Sequence, residues 1–378
     1  MAYPTAAPGS YPGPVAPAVG YPGPYDVYVP NTRASGALLV GYSRNPKSFA
    51  LNRYCQIFPS KQMLGLYYEY TSQSAARVIS TTAADDEWAD GDPCPPGLNN
   101  LESFKANAYR TKRRVYPFTL GELTVDQMDF DLLLTNSNDM AQRAMTVRTM
   151  LVQNNLSAAF TGSTSSAAVN NGILPNGQGW DTGSVGYGGA AGPNIFTSIQ
   201  FALINIHMLT IGSVREDQVC WVINPQTAQA CARSTEVQDY LKQSPVALAQ
   251  IKGNVENQNG RWGLPDIFHN VRVEVEDAVI ITTNKEAATT LYGYVMPYTV
   301  AYLIAKPAAL VGLAGSRSFS TVQIFFYRDE MTSEIMFDRN NKRYLSRIIS
   351  NYTPVIATLK SGFQFQSLWS VPNQLPLL

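Results

Sequence analysis

"WGLPDIFHNVRVEVED", residues 262–277, joins a knuckle of Trp262, Gly263, Leu264 and Pro265 to a strict alternation. Val271, Val273 and Val275 alternate with Arg272, Glu274 and Glu276, which is the two-residue period of a strand with one buried face. Two readings fit the knuckle: the lip of a ligand pocket, or the entry to the strand. A proline disfavours helix at the residue before it, so Pro265 pushes Leu264 towards extended backbone. No catalytic partner stands near these four residues in sequence, and the strand-entry reading is the better one. It places the three valines inward and turns Arg272, Glu274 and Glu276 to solvent or a neighbouring molecule.

Outward from this stretch, the same style of structure continues on both sides. Upstream, "QVCWVINPQTAQACARS" reads as a strand stopping at Asn224, which caps a helix whose first turn holds Pro225. Before it, "NIFTSIQFALINIHML" is a helix with Ile195, Ile199, Ala202, Leu203, Ile206 and Leu209 on its core side. "STEVQDYLKQ" and "SPVALAQIK" are shorter helical pieces. Downstream, "DAVIITTNK" and "GYVMPYTVAYLIAK" read as strands, and the chain is β-rich after Pro307. Helices and strands mix without a β-α-β rhythm, so the class is α+β.

The N-terminal half is organised differently. Residues 1–31 form a Pro-rich arm, with "SYPGP" and "GYPGP" excluding helix or sheet core. Residues 32–60 are irregular or weakly extended and bring Arg33, Arg44, Lys47 and Arg53 with no acidic residue, which reads first as a solvated face and second as a patch facing an anionic polymer such as a genome. From 61 to 120, two aromatic and β-branched runs flank an acidic, Gly/Pro-rich excursion containing Asp85, Asp86 and Glu87. They predict a long hairpin of up to about 25 residues an arm. Its acidic tip, Asp85, Asp86 and Glu87, and its basic return strand, with Arg110, Lys112, Arg113 and Arg114, suit contacts between neighbouring copies. A ribbon of two strands needs a partner surface to be stable. Thr124 and Gln127 have capping-box spacing. The helix that follows spans 137–160, with Met140, Ala144, Val147 and Leu151 on one face. Its methionines at 140, 145 and 150 are adaptable core packing and not a cofactor box. A long Gly-rich connection occupies 161–193.

Little in the chain speaks for catalysis. "GYGGAAGPN" lacks the Lys-Ser/Thr and the spacing of a phosphate loop. His207 and His269 have no Glu-x-x-His partner, the four cysteines are scattered, and no Gly-x-Ser-x-Gly elbow occurs. The expectation is no catalytic residue, no metal and no cofactor. The cysteines read as reduced core thiols. The start lacks the regions of a signal peptide, and no apolar run approaches a membrane span, so synthesis in a cytoplasm and no membrane partner are expected. Lys plus Arg equal Asp plus Glu at 28 each, which argues against a broad basic nucleic-acid face. The 21 tyrosines supply large contact area with a polar tip, common where protein surfaces meet.

The order of parts resembles the major capsid proteins of tailed double-stranded DNA phages, the Hong Kong 97-type fold. On that resemblance, the N-terminal arm is 1–60 and the extended hairpin loop is 61–120. The peripheral domain's first part is 121–193, with the spine helix at 137–160. The axial domain is 194–306, and 307–378 returns to the peripheral domain. "VINPQTAQACARS" is similar to the family's strand, Asn-Pro and helix, and "GRWGLPDIFHNVRVEVEDAV" to its Gly, Leu-Pro, link and Val-rich strand. Asn224, Pro225, Trp262, Gly263, Leu264 and Pro265 are thus structural positions of the axial domain. The resemblance implies a virion shell built from pentamers and hexamers of this chain around double-stranded DNA. It implies no sequence preference for that DNA and separate scaffolding, portal and decoration proteins as partners. An encapsulin-like compartment is the nearest alternative, and a β-rich carbohydrate-active hydrolase with paired carboxylates a more distant one.

Overall fold

The Val271–Val275 alternation is a strand, and its surroundings show why both of its faces matter. A computed structural model describes residues 44–70, 104–127, 132–161, 171–173, 180, 195–210, 212–252, 259–281, 291–306 and 320–368. The Pro-rich arm, Arg33, the acidic excursion with Asp85, Asp86 and Glu87, Cys94 and most of 161–193 lie outside the described residues.

In chain order the elements are α1 (Leu51–Tyr54), β1 (Gln56–Ser60), β2 (Leu64–Tyr70), β3 (Phe104–Arg110), β4 (Lys112–Gly121), α2 (Glu122–Asp126) and α3 (Leu132–Thr161). Next come β5 (Asn171–Ile173), α4 (Ile195–Leu209), β6 (Val219–Ile223), α5 (Pro225–Ala232), α6 (Thr235–Gln243) and α7 (Pro245–Ile251). β7 (Ile267–Phe268), β8 (Val271–Val275), β9 (Val279–Ile281), β10 (Tyr292–Tyr294) and β11 (Ala301–Ala305) follow. The described chain closes with β12 (Val322–Tyr327), β13 (Thr332–Asp338), β14 (Arg343–Ile356) and β15 (Gly362–Gln366).

Two sheets carry the body. In the first, the 14-residue β14 pairs with β4 along one edge and with β13 and β12 end to end along the other, and β1 adds parallel to β12. In the second, the order is β5-β15-β11-β6-β8-β7. β12 to β14 lie beside β1 and β4, whereas β15 crosses to the second sheet and pairs with β11. There Phe363 and Phe365 of β15 enter the core around Trp180 and Trp221.

The long helix lies between the sheets. Met145, Val152, Leu156 and Phe160 of α3 share one buried cluster with Ile324 and Phe326 of β12, Tyr352 of β14, and Tyr302 and Ile304 of β11. This is why β6 and β11 are buried at every position: one face meets α3, and the other meets the cluster that includes α4 and α5. The helix begins at Leu132, not at 137, because "LLLT" is apolar enough to extend it, and 30 residues give about 45 Å. The Thr124–Gln127 capping box does not form. Gly121 is the N-cap of α2 and Gln127 its C-cap, since β4 runs on to Gly121 and leaves no room for a cap at Thr124. The hairpin is also shorter than its expected span: Thr111 ends it, and Lys112 to Gly121 belong to the first sheet.

Candidate functional site

Two places join the body to the segments that leave it, and the residues of interest gather there. At the first, Glu274 and Glu276 are 3% and 0% exposed, against the outward placement expected from the alternation. Only Arg272 of that face is exposed. The alternation was sound, but it could not show that the strand's second face is covered by residues 44–55. Those residues bring the partners. Arg53 Nε donates to Glu274 Oε2 at 2.5 Å, and Tyr54 Oη donates to Glu276 Oε2 at 2.8 Å. Gln153 Nε2 of α3 donates to the same phenol at 3.2 Å. Arg44 Nη1 donates to Asp277 Oδ1 at 2.7 Å, and Arg261 pairs with the other oxygen of that carboxylate. Lys306 Nζ donates to the carbonyls of Asn52 and Arg53 at 2.8 and 2.5 Å.

Electrostatics in this clasp follow from burial. Desolvation pushes the Glu276 carboxyl up to about 7, against the opposing hydrogen bond from Tyr54. Burial also outweighs the Arg53 pair at Glu274, raising its carboxyl, and it lowers the Lys306 ammonium. Two of the four cations expected to face a genome, Arg44 and Arg53, thus have their charge met inside the chain, while Lys47 is exposed.

The second place is the root of the β2–β3 ribbon. Thr111 is buried and donates its backbone N–H and hydroxyl to the Met63 carbonyl at 2.8 and 3.1 Å, closing the two strands on each other. Gly65 faces Tyr109 across the pair, and Leu64 and Leu66 face Arg110 and Ala108. The ribbon's inner face meets the outer side of the first sheet: the Tyr109 ring stacks on Phe325 at 4.1 Å and 8°. Phe58 lies 5.7 Å from the same ring, and Ser60 Oγ sits 3.0 Å from the Tyr109 hydroxyl. Leu64 and Leu66, on the outer face, are 63% and 55% exposed.

Of the basic residues expected at inter-subunit contacts, Arg110, Lys112 and Arg113 are exposed. Arg114 instead turns inward, half-buried, with its guanidinium over the Tyr352 ring at 5.3 Å. Asn224 caps α5, accepting from the Gln226 N–H at 2.7 Å, and its amide also donates to the Met296 carbonyl. Gly263 has φ +78°, and an added Cβ would lie 3.0 Å from the Ala232 Cβ. Leu264 and Pro265 are buried, and Trp262 packs half-buried on the core beneath the Arg261 guanidinium. The knuckle is packing, not a pocket lip. A cavity of about 880 Å³ lies elsewhere, between α4 and β7, lined by Leu203, Ile204, Ile267, His207 and the 215–217 turn.

Among the described residues there is no group of three or more His, Cys, Asp or Glu able to hold a metal, and no helix is long and apolar enough to cross a membrane. Cys55, Cys220 and Cys231 are buried free thiols, each pushed up by desolvation, Cys220 to about 11. Sequence reasoning missed the Gly65–Tyr109–Phe325 contact. Its available signal was a glycine inside a strand, which marks a close approach of another group.

No protein-family model matches the chain, and no curated protein matches it in sequence. Solved structures do. A phage-related protein from Bordetella bronchiseptica RB50 aligns with a TM-score of 0.51 at 11% identity, over 89% of this chain and 96% of that one. The capsid of a native GTA particle gives 0.50 at 11% identity, over 93% and 97%. The capsid of cyanophage P-SCSP1u gives 0.50 at 9% identity, over 87% and 90%. At such identity the likeness speaks for architecture, and it extends over nearly the whole length of both partners. That likeness gives this chain the α+β Hong Kong 97-type capsid fold.

Proposed function

We propose that the chain is the major capsid protein of a tailed phage, assembling into the icosahedral shell around double-stranded DNA. One observation carries the reading: a ribbon that leaves the body with Leu64 and Leu66 exposed on its outer face, on a fold shared with capsids. A lone monomer leaves that face in water, and a neighbouring copy covers it. Repeated heterologous contacts of this kind close into rings and shells. Each can be weak, because a subunit held at several sites gains effective concentration. The exposed Arg110, Lys112 and Arg113 border the same ribbon and suit contacts with an acidic neighbour.

In this reading the subunits form pentamers and hexamers, act in the virion, and use separate scaffolding, portal and decoration proteins. DNA is enclosed without sequence preference. Lys47 and Arg33 remain for contact with it, since Arg44 and Arg53 are already neutralised by Asp277 and Glu274. The buried Glu274 and Glu276 belong to the clasp, and a fold shared with capsids favours a shell over a glycosidase. Negative-stain microscopy and sedimentation of the purified chain, alone and with lysate of its native source, test the proposal. Capsomer rings or closed shells are expected. Monomers that persist under both conditions would overturn it.

A further inference from the structure

We propose that the Tyr109–Phe325 stack, seated in the cradle of Gly65, sets the direction in which the β2–β3 ribbon leaves the body. The inference rests on the shell reading for its purpose but not for its geometry. Thr111 and Met63 hold the two strands to each other, and that bond alone leaves the ribbon free to pivot. Direction needs a contact between ribbon and body on one face. The Tyr109 ring lies nearly parallel to Phe325, Phe58 flanks Phe325, and Tyr67 approaches the same ring at 6.2 Å. Ser60 then fixes the hydroxyl end of Tyr109. Stacked aromatic rings have preferred relative orientations, so the contact is directional where ordinary apolar contact is not.

Gly65 is the part that lets the ring lie flat. A Cβ there would stand 2.5 Å from the Tyr109 hydroxyl oxygen and 2.6 Å from its Cζ, so any side chain lifts the ring off Phe325. Gly65, Tyr67 and Tyr109 share the inner face, while Leu64, Leu66 and Ala108 lie on the outer one. The stack therefore decides where the outer apolar face is presented.

The test uses the full chain with Cys94→Ser, Ala106→Cys and Ser333→Cys, spin-labelled on the exposed ribbon and on exposed β13, below the concentration of assembly. Electron–electron distances between the labels are expected to form one narrow distribution. Gly65→Ala, Tyr109→Ala and Phe325→Ala should each broaden it at least twofold, and Phe325→Tyr should keep it narrow. Thermal midpoints and far-UV circular dichroism check folding. Tyr109→Ala, outside both body cores, serves if Phe325→Ala does not fold. A distribution as narrow in Tyr109→Ala as in the parent overturns the proposal. Assembly is scored separately, so a chain that never forms shells yet broadens on substitution keeps the aiming role and loses only the shell reading.

Discussion

A carboxylate placed where Glu276 sits is costly whenever it is ionised, because the side chain is fully buried and its nearest partner is a neutral phenol. Its folded titration, near 7, lies above the unfolded carboxyl range. Stability tied to this group is therefore complete below the unfolded range and drains away as pH rises through about 7. Glu276→Gln keeps an acceptor for Tyr54 and removes the charge, so it should flatten this decline. Chemical denaturation at pH 5 and pH 8 measures it, with the parent losing on the order of 3 kcal/mol more than the variant across that interval. Arg148 poses the converse problem. It is fully buried, rests against the Phe326 and Tyr352 rings at 4.5 and 5.0 Å, and pairs with Glu330, whose side chain is 47% exposed. Glu330→Ala should cost about 2 kcal/mol, a value reduced for the solvent around Glu330. Arg148→Met in the same chain should recover much of that loss, which a double-mutant cycle reads directly. None of these partnerships was legible in the sequence, where the carboxylates of 272–276 follow the rule for a solvated face. They depend on which distant segment covers the strand, and the covering residues stand about 220 positions earlier.

At the scale of elements, the knuckle and the ribbon respond differently to change. Gly263 is left-handed and tight against Ala232, so Gly263→Ala should cost about 1–2 kcal/mol, seen as a lowered thermal midpoint. Leu64→Ser with Leu66→Ser touches only an exposed face and should leave the midpoint of the isolated chain within about 0.5 kcal/mol of the parent. The same pair should abolish assembly in sedimentation. Stability lost in step with assembly would place these leucines in the core instead. The strand entry, the Asn224 cap with Pro225, and the long helix were legible because each is a local pattern with a local cause. The ends of the elements were not. The basic return run, 103–120, read as one piece, and only Thr111, bonding back to Met63, divides ribbon from sheet. Arg114 was grouped with Arg113 by adjacency, yet the two-residue period sends them to opposite faces.

For the whole molecule, a formal net charge of zero and exposed apolar residues on several elements mean that the proposed association would be driven by apolar burial. Phe201, Ile204 and Met208 of α4 are each close to 60% exposed, as are Ile281 of β9 and Leu291. Assembly should then persist from 0.1 to about 1 M NaCl, where exposed ion pairs are screened, and strengthen in sulfate. Light scattering across a salt series checks this, and dissociation by NaCl would point to charge pairs as the main hold. The α+β class and the capsid resemblance were legible from the order of parts, since order survives where identity does not. The crossing of β15 was not, because nothing local to residues 362–366 says which of two sheets has a place for them.

That crossing bears on the chain's birth. β15 fills the gap between β5 and β11, so the second sheet, begun near residue 171, has an unfilled position until almost the last described residues emerge from the ribosome. A nascent chain can form its long helix early, yet it must wait to close its largest sheet. A fragment ending before Gly362 would show the bare edge of β11, the kind of edge that pairs with the wrong strand. Passage through residues 362–366 thus acts as a licence: only a polypeptide synthesised past β15 has the open edge of β11 covered.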